Sequence, residues 1–345
     1  MTRRAHIACA TVVGLATAAS WPTPEPAAPE PESPLRPADQ TFLTYPEWYL
    51  VFSPDEYATY LETNAPTDFP YFGHLGQLWS SYAAVSDATS GGVSQNAGYH
   101  LMIMVIAAST SAEYGVKAAY ERTVGRTTEA IVGGPDTPED ALAADVAREY
   151  VDFIEVRPWY EFDFDARLRR VWEEPVQWNG SNSIRSLERR YAMTTEYGLK
   201  ALYGRLIALG TAATYEAASP TTLVTFDPEC LKGATVEGLQ RIEGRPNAAT
   251  MPRYRGFTAA ATSFASAGCA FETIAGNDGG LLLSVIAEAD WDATEVDART
   301  LFAQPILTSQ NQTRFAVLTT VPRLADVLLA VQHDPRARIE HVFDY

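Results

Sequence analysis

The chain has 345 residues, 46% of them hydrophobic and 20% charged, a balance that supports folded cores and excludes a wholly disordered protein. Its formal net charge is −17, from 43 acids against 26 bases. Phosphate backbones are therefore repelled, and no nucleic acid is expected as a partner.

The N-terminus, residues 1–20, reads as an export signal. Arg3 and Arg4 form a basic start, Ile7 to Ala19 a short apolar run, and Ala16-Thr17-Ala18 offers small residues for cleavage. An uncleaved anchor is the alternative. No run of about eighteen apolar residues occurs, so a conventional transmembrane helix is not expected. Residues 21–40 are rich in proline and predict an extended linker that keeps the folded part near the membrane or wall. Cys230 and Cys269 then lie in an oxidising compartment, where a bridge and two separately buried thiols are both open readings.

Residues 41–219 predict a helical domain. Ser53-Pro54-Asp55-Glu56 reads as the start of a short helix, with a serine cap and proline at the first position. A long helix is predicted from about Ala97 to Ile131. In it Ala108, Ala112, Gly115 and Ala119 form a stripe of small residues suited to close approach by another helix. Thr137-Pro138-Glu139-Asp140 caps the next helix, which runs to about Glu155. From Trp159 to Asp165 aromatic and acidic residues alternate after Pro158. That pattern predicts an extended edge strand with one solvated acidic face, or else an aromatic and carboxylate platform including Glu161 for sugars or Ca²⁺. The last long helix starts near Ser183 and carries a near-heptad apolar seam of Ile184, Leu187, Tyr191, Leu202 and Leu206.

Residues 220–345 predict a second domain. Thr221–Phe226 reads as a strand, followed by a long irregular stretch, and Phe257–Ala267 as a helix. Ala270–Ala275 and Leu281–Ala287 read as a hairpin around Gly276–Gly280. Strands at Leu301–Leu307 and Arg314–Thr320, a helix at Pro322–Gln332 and a closing strand at Arg338–Asp344 complete the pattern. The fold class expected is α+β: an N-terminal helical bundle followed by a C-terminal antiparallel α+β sandwich of ferredoxin-like topology.

One motif occurs twice. Residues 113–122 and 196–205 are identical at Glu113/Glu196, Tyr114/Tyr197, Gly115/Gly198, Lys117/Lys200, Ala118/Ala201, Tyr120/Tyr203 and Arg122/Arg205. Each copy lies late in a long helix, which predicts two related helices packed together. A charge repeated on an apolar line is either paired or placed in a cleft. One reading crosses the pairs, Glu113 with Lys200 and Glu196 with Lys117, as a device that fixes register. The other uses Glu113 and Glu196, with Glu161 as a further candidate, in acid/base catalysis. Glu47, Trp48, His74, His100, Lys117 and Lys200 are the candidate binding residues. His74 and His100 lack metal-ligand spacing, so no metal or other cofactor is expected, and a metal site drawn from them and neighbouring acids is the weaker alternative. There is no G-x-S-x-G elbow, P-loop or dinucleotide fingerprint.

Thr44-Tyr45-Pro46-Glu47-Trp48-Tyr49, Phe69-Pro70-Tyr71-Phe72-Gly73-His74, both Glu-Tyr-Gly-x-Lys-Ala copies, Arg157-Pro158-Trp159-Tyr160-Glu161 and Glu340-His341-Val342-Phe343-Asp344-Tyr345 together resemble a bacterial family of exported or membrane-associated proteins. The resemblance implies one ancestral unit and an envelope location, and carries no activity. Two functional classes follow. The first is an exported cell-envelope protein that binds a small ligand or a partner protein or serves a structural role. The second is a hydrolase or lyase using paired carboxylates on a carbohydrate or lipid-like substrate.

Overall fold

A computed structural model describes residues 38–89, 97–132, 137–173, 182–211, 220–231 and 235–343. The expected export signal, and all but the last three residues of the expected linker, lie outside them. The α+β class is as expected: helices come first, then two four-stranded antiparallel sheets.

The helical region holds α1 (Ala38–Leu61), α2 (Tyr71–Thr89), α3 (Ala97–Tyr120), α4 (Arg126–Val132), α5 (Pro138–Ile154), α6 (Phe164–Glu173) and α7 (Ser183–Thr211). Helix α1 corrects the expected start at Ser53, because it runs unbroken through Pro46 and Pro54. An interior proline costs roughly 3 kcal/mol. Burial of Leu43, Tyr45, Tyr49, Phe52, Ser53 and Glu56 along this helix offsets that cost. Thr137 does cap α5, its hydroxyl accepting from the Asp140 N–H at 3.2 Å. Helices α3 and α4 are joined by a π-helical turn, Glu121–Gly125.

The expected edge strand at Trp159–Asp165 is absent. Trp159–Glu161 forms a 3₁₀ turn and α6 begins at Phe164. Phe162 and Phe164 are buried against Val146, Val171, Met193 and Tyr197 while Glu161 and Asp163 stay exposed. A turn entering a helix thus gives the same in-and-out alternation as a strand.

The β region repeats one plan twice. Its first half is β1 (Thr221–Phe226), β2 (Gln240–Ile242), β3 (Arg245–Pro252), α8 (Arg255–Ser266) and β4 (Phe271–Ile274), with sheet order β2-β3-β1-β4. The second half is β5 (Gly280–Glu288), β6 (Arg299–Pro305), β7 (Gln312–Thr320), α9 (Leu324–His333) and β8 (Ala337–Val342), with order β6-β7-β5-β8. In each half a helix carries the chain over the first strand to its far side, and a 3₁₀ turn stands where a ferredoxin-like unit has its other helix. The β2–β3 hairpin lies in the stretch read as irregular; Gly244, at φ +76°, makes its turn. Strands β4 and β5 are not the expected hairpin. Each joins a different sheet, and an Ile274–Asn277 bridge closes the turn that follows β4.

Sheet burial sets the layering. Leu281, Leu283 and Val285 of β5 share a core with α8, α9 and the first sheet, including Phe257, Phe264 and Leu328. Leu282 and Ala316 face the other way, onto Leu43, Tyr45 and Phe52 of α1 and Val85 of α2. The second sheet is therefore covered on both sides, which explains why β5 reads as a nearly continuous apolar run. Cys230 and Cys269 are bridged, so the reading of two separate thiols is not what the fold contains.

Candidate functional site

The repeated motif builds a ladder between α3 and α7. Lys200 Nζ lies 2.9 Å from Glu113 Oε1, and Lys117 Nζ 3.0 Å from Glu196 Oε2. One turn after Lys117, and two turns before Glu196, Arg189 donates from both Nη atoms to Glu121, at 3.0 and 2.8 Å. A turn beyond that, Arg185 Nη1 donates to the Gly125 carbonyl at 3.0 Å. Each step toward the C-terminus of α3 is a step toward the N-terminus of α7, so the helices run antiparallel. Glu113 and Glu196 are equivalent in the repeat, as are Lys117 and Lys200. The crossed pairs therefore relate the two helices by an approximate two-fold axis, as expected of the register device.

Electrostatics locks the central rungs in the charged state. Lys200 also donates to Glu196 at 2.9 Å. Burial alone raises the Glu196 pKa, but Lys117 and Lys200 outweigh it and hold the carboxyl well below the ordinary range. Burial likewise opposes the charge on Lys117, and Glu196 overcomes it, leaving the ammonium well above its usual value. A carboxylate pinned this way carries no proton to give and takes none up near neutrality, so Glu196 does not suit general acid or base work.

The far end of the ladder is a buried network of residues outside the candidate set. Arg185, Glu188, Arg189, Arg190, Glu121 and Glu139 are all buried. Arg190 Nε reaches Glu139 at 2.7 Å and Arg189 Nε reaches Glu188 at 2.9 Å. The π-helical turn brings the backbone close enough that a Cβ on Gly125 would stand 2.4 Å from Glu121 Oε2. The available signal is helical spacing, with Glu121 one turn after Lys117 and with Arg189 and Arg185 two and three turns before Glu196.

A second polar layer lies where the second sheet meets α1 and α2. Arg314 on β7 is buried, donating to Glu340 on β8 and, at 2.8 Å, to Glu56 on α1. Its guanidinium also sits over the Phe52 ring. Ser284 donates to Glu340. Tyr49 donates to Gln77 at 2.7 Å, and Gln77 and Gln304 tie α2 to β6. His74 stacks on Phe69 with centroids 4.6 Å apart, and its Nε2 is 3.7 Å from Glu56. Trp48 stacks on His341 at 3.6 Å. Burial, and for His74 the nearby Arg314 charge, lower both histidines to about 3. The motifs from opposite ends of the chain, around Tyr45–Tyr49, Gly73-His74 and Glu340–Phe343, thus converge on one interface.

No family model matches the chain, and neither does any curated protein or solved structure.

The remaining candidates scatter. Glu47 is exposed and accepts from Tyr99. His100 bonds Tyr82 through Nδ1 at 3.0 Å. Glu161 is exposed on its 3₁₀ turn, while Glu113 and Glu196 sit in the ladder, so the three candidate carboxylates do not form a single set. Among the described residues no cluster of His, Cys, Asp or Glu is arranged to hold a metal ion, and no helix is long and apolar enough to cross a membrane.

The apolar stripes expected to pack face outward instead. On α3, Leu101, Val105 and Val116 are exposed, Val116 to 73%, and Ala108, Ala112 and Ala119 lie with them. A Cβ at Gly115 or Gly198 would meet nothing within 4 Å, so no helix approaches there. On α7, Tyr191, Leu199 and Leu202 are exposed, Leu199 to 62%. At 100° per residue, both stripes lie opposite the buried residues of their helices, with the ladder between them. Both stripes therefore turn away from the core, one on each side of the ladder.

Proposed function

We propose that this is an exported cell-envelope protein that acts by docking a partner protein on the outer face of α3 and α7. The observation that carries this reading is the size of that apolar face. It exposes on the order of 1,000 Å² of apolar side chain, against the roughly 300–600 Å² of the largest patch on a typical monomer. Beneath it the ladder holds the two helices at fixed spacing, which keeps the face rigid and spares it ordering entropy on binding. Export is supported by the basic and apolar N-terminal pattern and by the Cys230–Cys269 bridge, which persists in oxidising compartments. The acid/base reading of Glu113, Glu196 and Glu161 draws less support, because Glu196 is held charged by two lysines and Glu161 stands apart on an exposed turn.

The test is site-specific photocrosslinking in intact cells from Val116, Leu202 and, as a control, the exposed Val156 outside this face. Discrete protein adducts at Val116 and Leu202 but not at Val156 are expected. Absence of adducts at the first two, or the same adducts at all three, would remove the reading.

A further inference from the structure

We propose that the partner on this face is a second copy of the chain, joined in a two-fold symmetric dimer. The inference rests on the docking reading above and names its occupant. Three observations carry it.

The first is charge. The only charged side chains in α3, Ala97–Tyr120, are Glu113 and Lys117, and both are engaged in the ladder. Glu113, Lys117, Glu196 and Lys200 sum to zero. A chain of net charge −17 repels its own copy over most of its surface, and this face is one where that repulsion is absent. The same net charge disfavours an anionic lipid surface as the occupant.

The second is area. An exposed apolar surface on the order of 1,000 Å² is close to the roughly 800 Å² that each partner gives to a standard protein interface.

The third is symmetry. A two-fold interface brings the same patch together from both copies, so the patch has to be complementary to itself. Two antiparallel helices related by their own approximate two-fold axis present the same apolar rows to a copy in either of two orientations, and apolar rows of this kind can pack on themselves. Their apolar rows follow the helical repeat along α3, whose 24 residues span about 36 Å. Laid on its copy, the α3–α7 pair makes a four-helix layer in which ridges of one pair enter grooves of the other.

The experiment is sedimentation equilibrium of the full chain at low to tens of micromolar concentration, with Val116→Glu, Leu199→Glu and Val156→Glu. Both face residues are exposed in the single chain, so circular dichroism and thermal melting of the dissociated variants should show an intact fold. The expected result is a two-chain mass that drops toward one chain in Val116→Glu and Leu199→Glu. Burying a charge at the interface should weaken association about 100-fold. Val156→Glu should stay paired. A one-chain mass for the unaltered protein, or a two-chain mass that ignores both face substitutions, overturns the proposal. A one-chain mass together with Val116 adducts to a different protein overturns self-pairing and leaves the docking reading standing. A one-chain mass with no adducts overturns both.

Discussion

Arg314 on β7 and Glu340 on β8 form a two-pronged ion pair, with Nε and Nη2 donating to the two carboxylate oxygens at 2.7 and 2.8 Å. They reach each other across β5, because a bulge in β8 leaves Glu340 unpaired beside Ser284 and turns it to the same face as His341. The third nitrogen holds Glu56 from α1. Arg314 therefore carries the charge balance of the buried Glu56 and the part-buried Glu340 at the junction of the helical and β regions.

Arg314→Met should destabilise the protein by about 3–5 kcal/mol, since it strands Glu56 and Glu340 without a counter-charge. Adding Glu56→Gln and Glu340→Gln to that variant should recover much of the loss. Urea denaturation of the single and triple variants provides the check. A single substitution costing under about 1 kcal/mol would mean that water reaches this layer freely.

The ladder predicts an asymmetry between two residues that the repeat makes equivalent. Glu196 accepts from both Lys117 and Lys200, whereas Glu113 meets only Lys200 and its side chain is 42% exposed. Glu196→Gln should cost about 2–3 kcal/mol, and Glu113→Gln less than about 1. Equal losses in chemical denaturation would contradict the pairing seen here.

What the sequence made legible depended on how local the governing physics was. The α5 cap at Thr137 and strand β1 are set by neighbouring residues, and both fall where local patterns place them. The crossed ladder pairs were readable because the repeat supplies a symmetry that restricts which lysine can meet which glutamate. Arg314, Glu340 and Glu56 carry no such symmetry, and Glu121 and Arg189 show only a helical spacing from the motif residues. Their burial is decided by partners far away in sequence, with Glu56 and Arg314 separated by 258 positions. The outer stripes failed for a different reason. Periodicity reports that Ala108, Ala112, Gly115 and Ala119 share one side of α3 and that Ile184, Tyr191 and Leu202 share one side of α7, and it is silent on whether the same chain covers those sides. Pro46 and Pro54 misled because local propensity was overridden by the burial of α1 against the second sheet.

Both interface histidines make stability depend on pH. Folding holds His74 and His341 neutral, with pKa values lowered to about 3, while the unfolded chain takes up protons near 6.5. Their contribution is complete above about 6.5 and is lost as pH falls from there toward 3. Burial raises Glu56, with Arg314 opposing, so its contribution runs the other way and partly offsets the loss. Between pH 7 and 5 each histidine should remove roughly 2 kcal/mol. His341→Phe keeps an aromatic ring against Trp48 and should show a distinctly shallower pH dependence. Urea midpoints that do not move between pH 7 and 5, or that move equally in the variant, would show that these rings are not held neutral by the fold.

The two halves of the β region close the same gap with different chemistry. In the first half the Cys230–Cys269 bridge links the 3₁₀ turn after β1 to the segment between α8 and β4. In the second, Trp291 after β5 donates its indole N–H at 3.1 Å to Asp334 between α9 and β8. The bridge closes a sequence separation of 39 residues, for which the chain-entropy model gives about 4 kcal/mol. Cys230→Ser with Cys269→Ala should therefore speed hydrogen exchange in β1, β3 and β4 before it does so in β5 and β7. Trp291→Phe removes the N–H and keeps a ring against Phe315, so its effect should be smaller and confined to the second half. If loss of the bridge instead loosened both sheets equally, α8 and α9 would be acting with both sheets as one cooperative unit rather than two stacked ones.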